Sequence, residues 1–246
     1  MARNTAEPIV IEGNTGTALA DFAEIERQAL AQMQQRIQAP SGNGISIRDK
    51  QFKFPDGRVV DSLNVVVLDF ITRNLFYVGR FDPKNPAPPT CFAIGKDLKT
   101  LKPSASSAEV QNEAGCATCE NNAFGSNGAG KACKNTRLLA VLEVGEDYAT
   151  APIYTISVPP KSLKAFDGYI NTVGSLLKRA HWGVQTRIGF HPEAEHEQLV
   201  FGHSGANESI GECLSRLPEA EMLLTVEPDT SRLEAKPAAP ARGGRR

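Results

Sequence analysis

The sequence lacks a membrane-spanning segment, a secretory leader and an excess of charge of one sign. No stretch reaches the roughly 18 consecutive apolar residues of a membrane helix, and residues 1–7 do not show the basic-then-apolar order of a signal peptide. Lysines and arginines number 27 against 28 aspartates and glutamates, a net charge of −1. These absences exclude a wholly basic, histone-like surface and predict a cytoplasmic protein with no membrane partner.

Extremes of composition are missing too. Of 246 residues, 41% are apolar and 22% are charged, which is ordinary globular usage and argues against collagen-like, coiled-coil and wholly disordered chains. A chain of this length can bury a core without disulfides. We therefore expect a folded protein of one large domain or two small ones.

Signatures of catalysis are also missing. The glycine-rich segment before Lys131 is not a phosphate-binding loop, because Ala132 stands where that motif needs serine or threonine. Residues 191–196, His-Pro-Glu-Ala-Glu-His, hold two imidazoles and two carboxylates, but the proline favours a turn over a helix that carries metal ligands. We expect no enzyme. The alternative, catalysis at this turn, requires that replacing His191 and His196 abolish a turnover.

Hydrophobic periodicity divides the chain into three parts. Residues 1–44 hold an amphipathic helix at 19–37 and a Pro/Gly linker. Residues 45–226 alternate strand-like runs with a second amphipathic helix at 163–177 and a weaker one at 210–224. A tight turn at Arg73-Asn74 is expected between two of the strands. Residues 227–246 are expected to be a disordered, basic tail. The pattern predicts an α+β protein with a curled antiparallel sheet or barrel.

Four of the five cysteines are spaced as metal ligands, Cys91-x24-Cys116-x2-Cys119-x13-Cys133. A Cys-x-x-Cys pair lets two thiolates of one tight turn meet a metal, and two further sulfurs complete a tetrahedron. Residues 91–133 are poor in large apolar side chains, so they need another source of folding free energy. We predict structural Zn²⁺ without an open ligand position. An iron–sulfur cluster also uses four thiolates and remains the rival; Cys213 is expected to be a buried core residue.

Basic and aromatic residues interleave around the predicted strands. Residues 45–137 carry 13 lysines and arginines against 9 acidic residues, whereas the remainder of the chain from residue 138 is acidic. Cations that meet phosphates and rings that stack on bases are what a single-stranded nucleic-acid site needs. The opposing interpretation is that the rings are core and the cations merely solvated. The candidate contacts are Lys50, Phe52, Lys53, Phe54, Arg58, Tyr77, Arg80, Lys131, Lys134 and Arg137.

Several blocks resemble a group of bacteriophage single-stranded DNA-binding proteins. The blocks are residues 88–92 (PPTCF), 116–126 (CATCENNAFGS), 130–140 (GKACKNTRLLA), 156–163 (ISVPPKSL) and 186–193 (TRIGFHPE). The resemblance spans about residues 45–202. It implies an OB-like barrel with a zinc-bearing insertion at 91–133, a role in phage DNA replication or recombination in the host cytoplasm, and phage replication proteins as further partners.

The last residues differ from that group. Many single-stranded DNA-binding proteins end in an acidic tail that recruits partners, whereas residues 241–246 read ARGGRR. We expect sequence-tolerant binding of single-stranded DNA, with the choice between DNA and RNA left open. The alternative is a zinc-stabilised interaction or structural phage protein that docks a host or virion partner.

Overall fold

The computed structural model describes residues 42–79 and 87–234. The chain divides into two units, Met1–Ser41 and Gly42–Arg246, and all described residues belong to the second. The helix predicted at 19–37, Arg80 and residues 235–246 of the predicted tail lie outside the described residues.

The described residues form an α+β fold with a strongly curled, open sheet and few helices, which confirms the predicted class at this level. The strands are β1 (Gly44–Arg48), β2 (Gln51–Lys53), β3 (Val59–Val60), β4 (Leu63–Phe76), β5 (Cys91–Gly95), β6 (Lys134–Glu143), β7 (Tyr154–Val158), β8 (Val184–Phe190) and β9 (Leu199–Ala206). The helices are α1 (Leu163–Ser175), α2 (Ile210–Ser215), α3 (Leu217–Leu224) and the short α4 (Ser231–Glu234).

Strand β4 is the centre of the sheet, whose order is β3-β2-β1-β7-β6-β4-β8-β9. One edge of β4 pairs with β6 over most of its length. The other edge pairs with β8 near its start and with β5 over Thr72–Phe76. Among the described strands every pairing is antiparallel except β1 with β7, which is parallel.

The tight turn predicted at Arg73-Asn74 is wrong, because both residues lie inside β4. Asn74 is buried there, and its Oδ1 accepts a hydrogen bond of 2.6 Å from Nδ2 of Asn135 on β6. A satisfied buried amide is compatible with a strand interior, where an unsatisfied one is not. The sheet partner therefore overrides the local turn preference of asparagine.

The curl brings β2 and β8, each next to an end of the sheet, near one another. The rings of Phe52 on β2 and Phe190 on β8 stack with centroids 4.6 Å apart. Beside them the backbone N–H of Asp49 donates to Oε1 of Glu197 at 3.3 Å. These contacts link the β1–β2 hairpin to the β8–β9 hairpin without a shared strand ladder, so the sheet stays open while its two ends are in contact.

The sheet is buried on both faces. Residues 65–68 of β4 are completely buried, because successive side chains of a strand point to opposite faces and each face here has a cover. On one face α1 inserts Phe166 into a core with Val65 and Val67. On the other face α2 and α3 supply Cys213 and Leu224 to a core with Val66 and Leu68. Cys213 is thus a core residue, as its sequence context predicted.

The His181 side chain is 19% exposed and lies beside Phe70, which packs against the core that Phe166 joins. Its ring meets that of Phe70 edge-on, with centroids 5.2 Å apart, and its Nε2 lies 3.9 Å from a carboxylate oxygen of Asp69. Burial lowers the pKa of His181 below its ordinary value, and the Asp69 charge opposes this less strongly. The folded protein therefore resists protonation of His181 more than the unfolded chain does.

This burial predicts a loss of stability on acidification. Below the ordinary histidine pKa of about 6.5 the unfolded chain gains a proton that the folded protein resists, so the free energy of unfolding should fall between pH 7.5 and 5.5. In urea titrations His181→Gln should flatten this dependence. His203→Gln, at an exposed position on β9, is the control and should leave it unchanged. An equal slope in wild type and His181→Gln would contradict the assignment.

Candidate cysteine pocket and nucleic-acid interface

The end of β4 gathers the four spaced cysteines. Cys91 begins β5 directly opposite Phe76, and Cys133 precedes Lys134, which lies opposite Leu75 on the other edge of β4. Cys116 begins a short 3₁₀ turn that Cys119 follows. All four cysteines line one small pocket, so the fold brings together residues separated by more than forty positions.

Hydrogen bonds hold the intervening loops against the sheet. The N–H of Cys116 donates to the carbonyl of Leu101 at 2.9 Å, and the N–H of Cys133 donates to that of Asn121 at 2.7 Å. Asn122 donates from Nδ2 to the Cys116 carbonyl at 2.8 Å. Its Oδ1 accepts from Nδ2 of Asn135 at 2.9 Å. Backbone and amide hydrogen bonds therefore supplement the small apolar cluster of Ala93, Leu101 and Cys116 in this segment.

The pocket disfavours negative charge on its thiols. Burial, with the neighbouring Cys116, Cys119 and Cys91, raises the pKa of Cys133 to about 12, although Lys131 acts in the opposite direction. Burial also raises the pKa of Cys116, against a hydrogen bond from the Asn74 side chain that favours the thiolate. A cation bound among the four sulfurs would instead stabilise Cys116 and Cys133 as thiolates.

The zinc knuckle expected from the spacing is nevertheless not seen. Within residues 42–79 and 87–234, no three His, Cys, Asp or Glu side chains are arranged to hold one metal ion. The four cysteines share a pocket but their sulfurs do not converge as ligands.

The expectation that Phe52 and Phe54 stack on bases is wrong. Phe52 is completely buried and Phe54 is 4% exposed. Phe54 meets the Tyr154 ring edge-on at 5.0 Å, and both phenylalanines belong to the core under α1. Phe52 on β2 and Phe54 just beyond it both point to the inside of the curled sheet. Neither therefore offers a ring face to a nucleic acid.

Most of the predicted cationic contacts are scattered or already paired. Arg58 bonds Asp56 and Glu143, each at 2.7 Å, and its guanidinium lies 4.1 Å from the Phe54 ring centre. Arg137 is buried and pairs with Asp167 at 3.2 Å. Lys50 donates to the Pro192 carbonyl at 3.5 Å on the far side of the curl, and Lys53 lies half-buried in β2. These residues do not form one surface.

Tyr77 and Lys134, in contrast, meet at the end of β4. The Lys134 ammonium stands 5.3 Å from the centre of the Tyr77 ring. Arg73 lies near Tyr77 on the same face of β4. We call Arg73, Tyr77 and Lys134 the cation–ring patch. No ion pair joins Arg73 or Lys134 to a carboxylate among the described residues, so no described carboxylate compensates the charge of the patch.

Arg73 is the residue that sequence reasoning missed. Its Nε is a fully enclosed side-chain nitrogen with no hydrogen-bond partner, the one such atom in the described part of the chain. Burial lowers the pKa of Arg73, yet arginine keeps its charge in proteins. The signal in the sequence was a cation just after the apolar run that ends at Ile71, which the turn assigned to Arg73-Asn74 concealed.

Two other predicted features lie in exposed loops. Lys131 donates to Oδ1 of Asn122 at 3.3 Å, and nearby Phe124 is 81% exposed. The 191–196 turn connects β8 to β9, where the Glu193 N–H donates to Nδ1 of His191 at 3.3 Å. In that loop, as in the rest of the described chain, no metal-binding group is present.

Comparisons with known proteins return no match: no family model fits the chain, and no curated protein or solved structure resembles it at a significant level. Among the described residues no helix combines the length and the apolar character needed to cross a bilayer. The function is therefore inferred from the geometry of the cysteine pocket and of the cation–ring patch.

The burial of Phe52 predicts an effect on stability. Phe52→Ala should lower the free energy of unfolding by about 3–5 kcal/mol, because it removes a buried ring and leaves a cavity. Phe124→Ala, which truncates a ring that is 81% exposed, should change it by less than about 0.5 kcal/mol. Urea unfolding of both variants measures the difference; a small loss for Phe52→Ala would contradict the core assignment.

Proposed function

We infer that this protein binds single-stranded DNA without sequence preference and that the cation–ring patch is the central contact. The observation that supports this function best is the buried Nε of Arg73, which has no partner among the described residues. The half-buried Arg73 side chain meets no carboxylate among the described residues, and a bound anion would supply that counter-charge. A phosphate supplies both the charge and acceptors for the guanidinium.

The rest of the patch suits the other half of a nucleotide. Tyr77 is half-buried, so its ring is held in place, and the exposed Lys134 ammonium covers it. When that ammonium moves to a phosphate, a base can stack on the ring in its place. Exposed Phe124 and Lys131 offer a second ring and cation on the cysteine segment. Every nucleotide carries a phosphate and every base has a ring face, so such binding tolerates any sequence.

Zinc is the second part of the proposal. Cys91, Cys116, Cys119 and Cys133 would hold one Zn²⁺, for which four sulfurs are a suitable ligand set. The metal would supply the charge that keeps the buried thiols ionised, while the Asn74 side chain bonds the Cys116 sulfur. With all four ligands from the protein, its role is structural. It would fix residues 91–133 against the end of β4, beside the patch.

The wider setting is proposed on the sequence blocks and the curl of the sheet. The curled sheet with side-chain contacts between its ends supports an OB-like fold, an architecture used to bind single strands. The resemblance of residues 88–193 to phage proteins supports a role in phage DNA replication or recombination. Phage replication proteins are then the expected partners, and the protein acts without enzymatic turnover.

Titration of labelled oligo-dT tests the DNA proposal. Binding should weaken with salt, with a logarithmic slope of about −0.7 for each phosphate contact. Arg73→Gln and Lys134→Gln should each weaken binding and reduce the slope by about 0.7. Arg187→Gln removes an exposed charge at the other end of the sheet and should bind as wild type does.

The outcomes separate the proposal from its rival. Oligo-dA and oligo-dC should bind within a few-fold of oligo-dT, and duplex DNA more weakly. Absence of binding at low salt would overturn the proposal and favour a protein-docking role, for which the exposed Phe124 and Leu98 are the first candidates. Equal losses in Arg73→Gln and Arg187→Gln would place the contact elsewhere.

Elemental analysis tests the metal. Purified protein should contain about one equivalent of zinc, and Cys133→Ser should lose it, because three thiolates and water bind zinc more weakly. Cys213→Ser, whose sulfur is in the second core, should keep it. Chelation of the zinc should unfold residues 91–133, seen as faster amide exchange there. Iron with sulfide in place of zinc would support the iron–sulfur cluster. The absence of both zinc and iron would overturn the metal proposal.

A further inference from the structure

A groove lies between α1 and the β4–β6 pair, and nothing in the proposed function yet uses it. Its volume is about 380 Å³, within the roughly 300–1,000 Å³ of small-molecule sites. It is lined by Phe70, Thr72, Lys96, Leu98, Arg137, Asp167, Ile170 and Asn171.

The groove continues towards the cysteine pocket. Thr72 and Asn74 alternate along β4 and share a face, and Asn74 lines the cysteine pocket. On the neighbouring strand Arg137 and Asn135 are related in the same way, with Thr72 opposite Arg137 and Asn74 opposite Asn135. One polar strip therefore connects the groove to the segment at the end of β4.

Arg137 gives the groove an anchored cation. Its side chain is only 7% exposed, whereas Asp167, its partner at 3.2 Å, is 53% exposed. Asp167 is the one acceptor that Arg137 meets among the described side chains, and a guanidinium has five donors. The remaining donors suit a phosphate, which arginine binds through two parallel hydrogen bonds.

The other walls suit a flat, apolar ring. Phe70 and Ile170 line the groove from the sheet and from α1, and Leu98, which is 54% exposed, stands at its rim. Lys96 lies at the same rim but is held by Asp69 and Glu221, each at 3.1 Å. An apolar wall beside a buried cation matches a base with its phosphate, and not an apolar ligand alone.

We propose that this groove receives one nucleotide unit of the bound strand, with its phosphate on Arg137 and its base against Phe70, Leu98 and Ile170. The assignment rests on the proposed function and adds a second contact to it. A strand would pass from the cation–ring patch around the end of the β4–β6 pair into the groove, so one base would be separated from its stacked neighbours.

Nuclear magnetic resonance titration with dTMP tests the groove directly. The nucleotide should shift amide signals of α1 and of the strands around Arg137, and thymidine, which lacks the phosphate, should bind at least tenfold more weakly. Leu98→Glu should weaken dTMP binding at least tenfold by placing a carboxylate at the rim. Leu176→Glu, at a position 75% exposed just after α1 and outside the groove, should have no effect.

A second arm distinguishes a strand contact from a site for free nucleotides. Oligo-dT should displace dTMP, and Leu98→Glu should weaken oligo-dT binding a few-fold, less than Arg73→Gln does. Arg137→Lys keeps the positive charge but cannot form two parallel hydrogen bonds to a phosphate. It should therefore weaken dTMP binding while the protein stays folded. The assignment of the groove as a nucleotide site would be overturned by any of three results: no dTMP binding, equal binding of thymidine, or failure of oligo-dT to displace dTMP. Oligo-dT binding that the Arg73→Gln change weakens would still uphold the proposed function in each case.

Discussion

The pairing of β4 with its three neighbours is the constraint on which the rest of the structure depends. Its ladder with β6 runs from Val65 to Leu75, interrupted by one bulge between Val67 and Asp69. Its other edge passes from β8 to β5. The first half of the strand is buried in both cores, and the second half carries the functional candidates. Stability and proposed binding therefore share one strand but use different halves of it.

Side chains in the second half of β4 alternate between two faces, and the two faces carry different functional candidates. One face carries Thr72, Asn74 and the approach to the four cysteines, whereas the other carries Arg73 next to Tyr77. Polar groups buried on the first face satisfy one another through hydrogen bonds. The guanidinium on the second face does not find such a partner in the described part of the chain. That contrast explains why an external anion is expected at the patch.

Sequence patterns predicted the features that depend on residues close together in the chain. Helical spacing predicted α1, and cysteine spacing selected four residues that do share a pocket. Contacts between distant residues decided the rest. Asn135 stabilises Asn74 inside a strand where sequence predicted a turn, and the curl of the sheet stacks Phe52 on Phe190 instead of exposing it. Arg73 and the α1 groove became visible only when β5, β6 and α1 were placed around β4.

Amide hydrogen exchange of the purified protein, with and without a saturating oligo-dT, tests the central claim most directly. The account predicts slower exchange at the second half of β4, at the start of β6 and in the cysteine segment, with little change in β8 and β9. Binding that slows exchange in β8 and β9 and leaves Arg73 and Lys134 unprotected would contradict it.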